Sequence, residues 1–260
     1  MGISNTTSFS LQDVVTDLGG GEASLQECFN NAQASGFDPA YNQDSYAPAN
    51  SLLRFRNYTQ YFPMIITYNV TSNDTVSIPM FEYGTYDFSV DWGDGSALSF
   101  ITAHDDVANT HTYTNAGSYN ITILGHFSAF RFSTNVAAHP MAEKLTAIVD
   151  WGYSGLIYFA FAFARCSNLI SIPQKTIPCV PTTAFVNAMF YQTGITSITA
   201  DIFDNILNPS TFNQTFQGCT ALTGVAPSLW LTHPSMSSHS YTFRDCTGLS
   251  NYADIPSSWK

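Results

Sequence analysis

The sequence predicts a mainly β protein with three parts: a small helical module over residues 1–60, a β-sandwich over 61–135 and a repeat solenoid over 136–260. Three observations predict this organisation. Aromatic residues make up 15% of the chain and charged residues only 10%, a balance typical of strand-rich proteins. Short segments of the second part alternate apolar and polar residues, and a phenylalanine recurs every 26 or 27 residues in the third.

Residues 1–60 contain two helix patterns, each with a capping residue and an apolar face. In the first, Ser10 precedes the apolar positions Leu11 and Val14, and in the second, Ser24 begins a capping box. Helices of this length are marginal by themselves in water, so we expect the module to dock on a partner through apolar anchors. The expected anchors are Phe9, Leu11, Val14, Leu25, Phe29, Phe37, Tyr41 and Phe55.

The string DWGDGS in the second part places two carboxylates and two glycines around a tryptophan. Because it lies between two strand patterns, we interpret it as a structural turn. Its aspartates would accept hydrogen bonds from nearby amides, its glycines would supply positive φ, and its tryptophan would enter the core. A calcium loop would need more oxygen ligands at alternate positions. The predicted turn residues are Asp91, Trp92, Gly93, Asp94 and Gly95.

A second group of polar residues raises the question of acid–base or metal chemistry. Asp105 and Asp106 are neighbours in the chain, with His104 before them and His111 after them. Neighbouring residues on a loop more often face solvent, and no nucleophile motif accompanies these four. We therefore predict no catalytic residue, no metal site and no cofactor.

The third part repeats a pattern of one phenylalanine, a cysteine three residues later and a Leu-x-x-Ile pair. This period and spacing are typical of leucine-rich repeats, in which each copy stacks on the next. Thr193 replaces the cysteine in the second copy. We expect the cysteines to be reduced and to point inward, with a Cys219–Cys246 disulfide as the less favoured alternative. The predicted repeat core is Phe163, Cys166, Phe190, Phe216, Cys219, Phe243 and Cys246.

The charge balance argues against two classes of partner. The formal net charge is −11, with only eight Lys and Arg residues, so the chain lacks the basic cluster that nucleic acid or an anionic membrane surface requires. No apolar run approaches the length of about 20 residues that spans a bilayer. The first residues also lack the features of a signal peptide.

Three resemblances to known families follow from these motifs. The WGDGS string, followed by His111, Tyr113, Gly117 and Tyr119, resembles the PKD-type immunoglobulin-like domain, which implies a structural or adhesive sandwich. The repeats resemble the BspA-like leucine-rich family of surface and adhesive proteins. Residues 7–58 resemble the leading segment of structural proteins of Bacteroidetes phages, which implies attachment to a virion.

Together the resemblances imply a non-enzymatic virion protein, such as a head fibre, a capsid decoration or a tail-associated protein. Its N-terminal module would bind other virion proteins, and its remaining parts would bind a host glycan or surface protein. One alternative is a bacterial cell-surface adhesin. Another is an accessory part of a carbohydrate-active enzyme. Whether the protein forms a homo-oligomer stays open at this point.

Overall fold

The structure is a computed structural model, and it describes most of the chain after residue 61. The described residues are 62–134, 137–178, 183–206, 208–233, 236 and 238–260. Within them, Pro63–Lys260 form one compact unit. The predicted helical module and all eight of its expected anchors lie outside the described residues.

The described chain is mainly β, as predicted, and contains an antiparallel sheet. The strands are β1 (Met64–Val70), β2 (Asp74–Ser77), β3 (Tyr86–Asp91), β4 (Ser99–Ile101), β5 (Thr110–Tyr113), β6 (Gly117–Phe127), β7 (Leu145–Asp150), β8 (Thr183–Phe185) and β9 (Asn208–Thr211). Short helices lie at Val107–Asn109, Pro140–Glu143, Leu229–Thr232, Tyr252–Asp254 and Ser257–Trp259, and only Leu229–Thr232 is α-helical. None of the described helices is long and apolar enough to cross a membrane.

Five strands form the antiparallel sheet, in the order β4-β3-β6-β1-β7. Buried residues alternate along β1, β3 and β6, so one face of the sheet is buried. On β1, for example, Ile66 and Tyr68 are fully buried, and Ile66 lies opposite Ile121 on β6. Strands β2 and β5 form a second, two-stranded sheet. The Tyr68 hydroxyl donates a hydrogen bond to the Ser77 carbonyl on β2 at 3.1 Å, which ties the two sheets together.

Strand β7 belongs to both the sheet and the repeats. The sequence analysis places it in the third part, but it pairs antiparallel with β1, and Ile66 lies opposite Ile148. On its other side the Ile148 amide donates to the Ser171 carbonyl at 2.9 Å. The buried apolar residues form one core from Met64 to Trp259. The chain therefore passes from sheet to repeats without a break in its core.

The repeat copies stack in register. The amide of each repeat phenylalanine donates to a carbonyl of the next segment at 2.8–2.9 Å: Phe163 to Met189, Phe190 to Thr215, Phe216 to Thr242 and Phe243 to Trp259. The four phenylalanine rings also stack, with centroids 5.4–5.7 Å apart and interplanar angles of 7–17°. All four are fully buried. The third copy departs from the Leu-x-x-Ile pattern, because Val225 is 62% exposed and Ala226 is buried instead. Gly224, which precedes them, has a φ of +82°.

Each copy also contains two residues in the left-handed region, two positions before and two positions after its phenylalanine. Their φ values lie between +51° and +76°, and they are Phe161, Arg165, Ala188, Gln192, Gln214, Gly218, Tyr241 and Asp245. Only one of them is a glycine, although glycine is the residue that adopts this conformation without steric cost. The stacking of each copy on its neighbours therefore holds these residues in a conformation that their side chains disfavour.

The last residues cover the end of the repeats. Trp259 is buried, with 4% of its surface exposed. Its carbonyl accepts the Phe243 amide, the bond that a residue of the next copy makes for the other repeat phenylalanines. Trp230 lies edge-on to both Phe243 and Trp259, with centroids 6.4 Å apart in each case. Trp230 and Trp259, called the aromatic cap below, thus cover the copy that contains Phe243.

Candidate functional site

The predicted DWGDGS turn is held by its own carboxylates. The Gly93 amide donates to Asp91 at 2.9 Å, and the Ser96 amide donates to Asp94 at 3.0 Å. Gly93 and Gly95 have φ values of +77° and +83°. Trp92 is fully buried, and its indole N–H donates to the Ser99 hydroxyl. These bonds are those of a turn that joins two strands.

The remaining oxygen of Asp94 contacts β5. Its Oδ2 lies 2.8 Å from His111 Nε2, and the His111 ring stacks on Trp92 with centroids 5.1 Å apart. The Tyr113 hydroxyl donates to the Trp92 carbonyl at 2.7 Å. Partial burial alone would raise the pKa of the Asp94 carboxyl, but hydrogen bonds from Ser96 and then His111 outweigh it and lower the pKa to about 2. A carboxylate with that pKa is a poor general base near neutral pH. The contact between Asp94 and His111 instead joins the turn to β5.

The other acidic candidates also have structural surroundings. Asp106 caps the helix Val107–Asn109 by accepting the Ala108 amide, and it also accepts the Thr102 amide. Asp105 is 76% exposed and lies 3.9 Å from His104. Among the described residues, no group of three or more His, Cys, Asp or Glu side chains is placed to hold a metal ion.

A second DWG string occurs at Asp150-Trp151-Gly152, and the sequence analysis missed it. The Gly152 amide donates to Asp150 at 2.9 Å, the same distance and pattern as in the first turn. Trp151 is buried, and its ring lies 5.9 Å from that of Phe163. On the solvent side, the Lys175 ammonium forms an ion pair with the Asp150 carboxylate at 2.9 Å. The repeated string was the signal that could have found this turn, which places a tryptophan where the sheet meets the repeats.

The three aligned cysteines are free and buried. The Cys219 and Cys246 thiols each donate to the phenylalanine carbonyl of the preceding copy, at 3.0 Å. Thr193, which replaces the thiol in the second copy, lies 3.3 Å from the Cys219 sulfur. Burial raises the pKa of the Cys219 thiol to about 11, so it is a thiol rather than a nucleophilic thiolate at neutral pH. In this cysteine column, formed by Cys166, Thr193, Cys219 and Cys246, the last two thiols therefore join neighbouring copies through backbone carbonyls.

The candidate binding site lies elsewhere, in an aromatic cleft of about 240 Å³. It is open to solvent and mainly apolar. The lining residues, which define the aromatic cleft below, are Phe81, Phe130, Arg131, Tyr158, Ala160, Phe161 and Phe185. No part of this set was predicted from the sequence, because its members come from four separate stretches of the chain and none is an aligned repeat phenylalanine.

Backbone pairing among three neighbouring segments fixes one wall of the cleft. Ala129, just after β6, pairs in parallel with Tyr158, and Tyr158 pairs in parallel with Phe185 on β8. The Tyr158 and Phe185 rings are nearly parallel, at 16°, with centroids 6.1 Å apart. Phe185 is 45% exposed, which is high for a large apolar side chain in a position fixed by backbone bonds. The wall is thus both rigid and accessible.

A loop held by one tyrosine borders this wall, and its Phe81 ring lies edge-on to Tyr158, with centroids 6.3 Å apart. The Tyr86 hydroxyl accepts the Phe81 amide and donates to the Phe81 carbonyl, both at 2.8 Å, and also lies 3.2 Å from the Ala129 carbonyl. Burial raises the pKa of Tyr86 to about 12, so the hydroxyl keeps its proton. Arg131 covers Phe81, with its guanidinium carbon 4.5 Å from the ring centroid. Among the described residues, Arg131 is the only charged one that lines the cleft.

A smaller cavity of about 80 Å³ adjoins the cleft, since Phe161 lines both. Arg165 and Tyr191 lie in it, with the guanidinium carbon 5.4 Å from the tyrosine ring. The Arg165 Nε atom is buried and has no hydrogen-bond partner in the described part of the chain. Buried donors almost always have a partner, so this atom is an exception among the described residues.

Comparison with protein families, curated proteins and solved structures gave no match to the chain. The interpretation of function therefore depends on the geometry above. In that geometry Asp91, Asp94 and Asp106 accept structural hydrogen bonds. Among the described residues, the aromatic cleft is the concave surface with both apolar walls and a charged group.

Proposed function

We infer that the protein is a non-enzymatic structural component of a phage virion that binds the host surface: a head fibre, a capsid decoration or a tail-associated protein. The observation that carries the binding role is the solvent-open aromatic cleft, with an arginine in its wall. The virion role is supported by the resemblance of residues 7–58 to phage structural proteins, and residues 1–60 would attach the protein to other virion proteins.

The finer fold belongs to this proposal. We interpret the sheets between residues 63 and 135 as a PKD-like immunoglobulin-type sandwich, an interpretation supported by the DWGDGS turn and by the bond from Tyr113 to Trp92. We interpret the repeats as a BspA-like leucine-rich solenoid. The parallel backbone bonds between copies, the phenylalanine stack and the cysteine column support that interpretation.

A binding role suits the way in which the cleft is built. Its walls are positioned by backbone pairing and by the buried Tyr86 hydroxyl, so few groups need to be ordered when a ligand binds. Exposed aromatic rings in a fixed arrangement are typical of recognition surfaces. A stacked array of repeats also supplies a stiff support, because each copy bonds to its neighbour through several amides.

The virion role is tested on purified phage particles. Mass spectrometry should detect the protein in particles of the intact phage and should not detect it when residues 1–58 are deleted from its gene. A phage that carries Phe185→Ala, a substitution in the cleft, is the matched control and should keep the protein at normal copy number. If the deleted form still assembles at normal copy number, residues 1–58 are not the anchor.

The alternatives predict different results. A bacterial surface adhesin would be found in the cell-envelope fraction of uninfected bacteria and would be absent from particles. An accessory part of a carbohydrate-active enzyme would accompany glycan hydrolysis, whereas we expect the purified protein to release no sugar from host polysaccharide.

A further inference from the structure

We propose that the aromatic cleft binds an acidic saccharide, that is, a sugar residue that carries a carboxylate, such as a uronic or a sialic acid. The proposal rests on the proposed function, because it names the class of host molecule that the same protein would bind. It is carried by the combination of apolar ring walls with one guanidinium group.

The walls suit a sugar ring. One side of a pyranose presents C–H groups with few hydroxyls, and that side loses little when it leaves water for an aromatic surface. Tyr158 and Phe185 supply such a surface, and Phe81 borders it, with its ring edge-on to Tyr158 and the centroids 6.3 Å apart. At about 240 Å³ the cleft is smaller than the sites of about 300–1,000 Å³ that hold drug-sized ligands, which fits one sugar residue of a longer chain.

The charge in the cleft selects for an acid. Arg131 donates through Nε to the Ser133 carbonyl at 3.3 Å, and its terminal amino groups make no hydrogen bond within the described part of the chain. A guanidinium with free terminal donors pairs with a carboxylate through two parallel hydrogen bonds. Elsewhere the protein has a net charge of −11, which repels acidic ligands, so a local cation is needed to hold one.

The adjoining cavity offers a second arginine for a second carboxylate of the ligand. Arg165 lies there with a buried Nε that has no partner among the described residues, and Phe161 separates it from the cleft. A saccharide with carboxylates on successive residues could contact Arg131 with one and Arg165 with the next. An oligomer of uronic acid should therefore bind more tightly than its monomer.

A proline-rich peptide is the other ligand that docks against aromatic walls. It has an apolar ring to stack, but its backbone offers Arg131 neutral carbonyl oxygens rather than the charged pair of oxygens of a carboxylate. We therefore favour the saccharide and keep the peptide as an outcome of the test.

The test measures binding to the full-length protein by saturation-transfer NMR and by titration. The acidic probes are tetragalacturonate and 3′-sialyllactose. Their neutral counterparts are carboxyl-reduced tetragalacturonate and lactose, and the peptide probe is decaproline. At least one acidic probe should bind, with its neutral counterpart at least tenfold weaker. Tetragalacturonate should also bind more tightly than monomeric galacturonate.

The variants separate charge from stacking. Arg131→Gln should weaken binding of the acidic probe at least tenfold, whereas Arg131→Lys should weaken it less. Phe185→Ala should weaken it to a similar degree, and since the ring is 45% exposed the fold should persist. Matched controls come from a similar pair remote in sequence, Arg244 over Tyr241 at 4.9 Å, where Arg244→Gln and Tyr241→Ala should leave binding unchanged.

Three results would overturn the proposal: no acidic probe binds at millimolar concentration, decaproline binds instead, or the control variants lose as much affinity as the cleft variants. Adhesion of particles to host cells separates this failure from failure of the proposed function. If particles with Arg131→Gln and Phe185→Ala still adhere through this protein, the protein is a host-binding virion component whose receptor does not use the cleft.

Discussion

Gly93 illustrates, at the scale of one residue, why the first DWG turn accepts only glycine. Its φ is +77°, and a Cβ at this position would lie 2.3 Å from the Asn120 carbonyl oxygen on the neighbouring strand. Backbone cannot move aside as a flexible side chain can, so the substitution must displace β6 or open the turn. Gly95 has a similar φ of +83° but open space around it.

We expect Gly93→Ala to lower the free energy of unfolding by about 2–4 kcal/mol and Gly95→Ala by about 1–2 kcal/mol. Both substitutions place an alanine at positive φ, which is unfavourable. Only the alanine at position 93 also places its Cβ against the Asn120 carbonyl oxygen, so its loss of stability is larger. Urea unfolding of the two variants beside the native protein measures it. Equal losses would show that the Asn120 carbonyl moves freely.

Asp94 provides a prediction about pH. Its pKa is about 2 in the folded protein, below the ordinary value of 3.8. A depressed carboxyl pKa stabilises the fold above the unfolded pKa, and this contribution is lost as the pH falls through the folded one. Asp94→Asn should therefore cost up to about 2 kcal/mol above pH 4, with the difference fading between about pH 4 and 2.

The matched control for this prediction is Asp105→Asn, whose carboxylate is 76% exposed. It should change stability little at any pH, since surface charges contribute little. A constant difference between Asp94→Asn and the native protein from pH 2 to pH 7 would contradict the role of the ionised carboxylate.

Residue identities predicted the turn but not its partners. The string DWGDGS carries its own hydrogen bonds, because Asp91 and Asp94 reach amides two residues away. The bond from Asp94 to His111 depends on the placement of β5, 17 residues later. The aromatic cleft was still harder to predict from the sequence, because Phe81, Tyr158 and Phe185 become neighbours only through strand pairing between distant segments.

At the scale of elements, the repeat period was readable because the stack needs the same side chain at the same place in every copy. The conformation of each copy was not. Residues such as Phe161 and Gln192 adopt positive φ without being glycine, so no local signal marks them. Leu145 and Ile148 have the spacing of the Leu-x-x-Ile pair, which favours the repeats over the sheet for β7 when only the sequence is considered. Irregular pairing with β1 hides its strand alternation.

The cysteine column gives a prediction at this scale. Cys219 donates to the Phe190 carbonyl of the preceding copy, whereas Thr193 donates to the Phe190 carbonyl of its own copy. Because Thr215 and Thr242 do donate to carbonyls of the preceding copy, Cys219→Thr should keep a bond between copies, whereas Cys219→Val, of the same shape as threonine, should lose it. We expect the valine variant to be about 1–2 kcal/mol less stable than the threonine variant, by thermal or urea unfolding. A valine variant as stable as the threonine variant would show that packing alone holds this position.

At the scale of the whole molecule, sheet and repeats share one core, joined by β7 and by Trp151. A continuous core should unfold as one cooperative unit, unlike an array of independent domains. The cleft uses this continuity, since Phe81 comes from a loop before β3 and Phe185 from β8. Its two walls keep their spacing only while both parts are folded together.

The aromatic cap tests this continuity. Trp259 accepts the Phe243 amide and packs beside Trp230, so deletion of residues 256–260 would expose the end of the stack. We expect the deletion to lower the melting temperature of the whole 63–260 unit and to cause self-association, since the bare end offers unpaired backbone and apolar rings. Trp259→Phe, which keeps a ring and the backbone, should do so much less.

Fluorescence provides the measurement, because all four tryptophans lie within residues 63–260. Unfolding followed by fluorescence should coincide with unfolding of the β structure followed by circular dichroism, and both transitions should shift together in the deletion variant. Sedimentation would detect the self-association. If the deletion produced an early transition at the repeats while the sheet around Trp92 unfolded at its original temperature, sheet and repeats would be separate folding units. The walls of the cleft would then move independently.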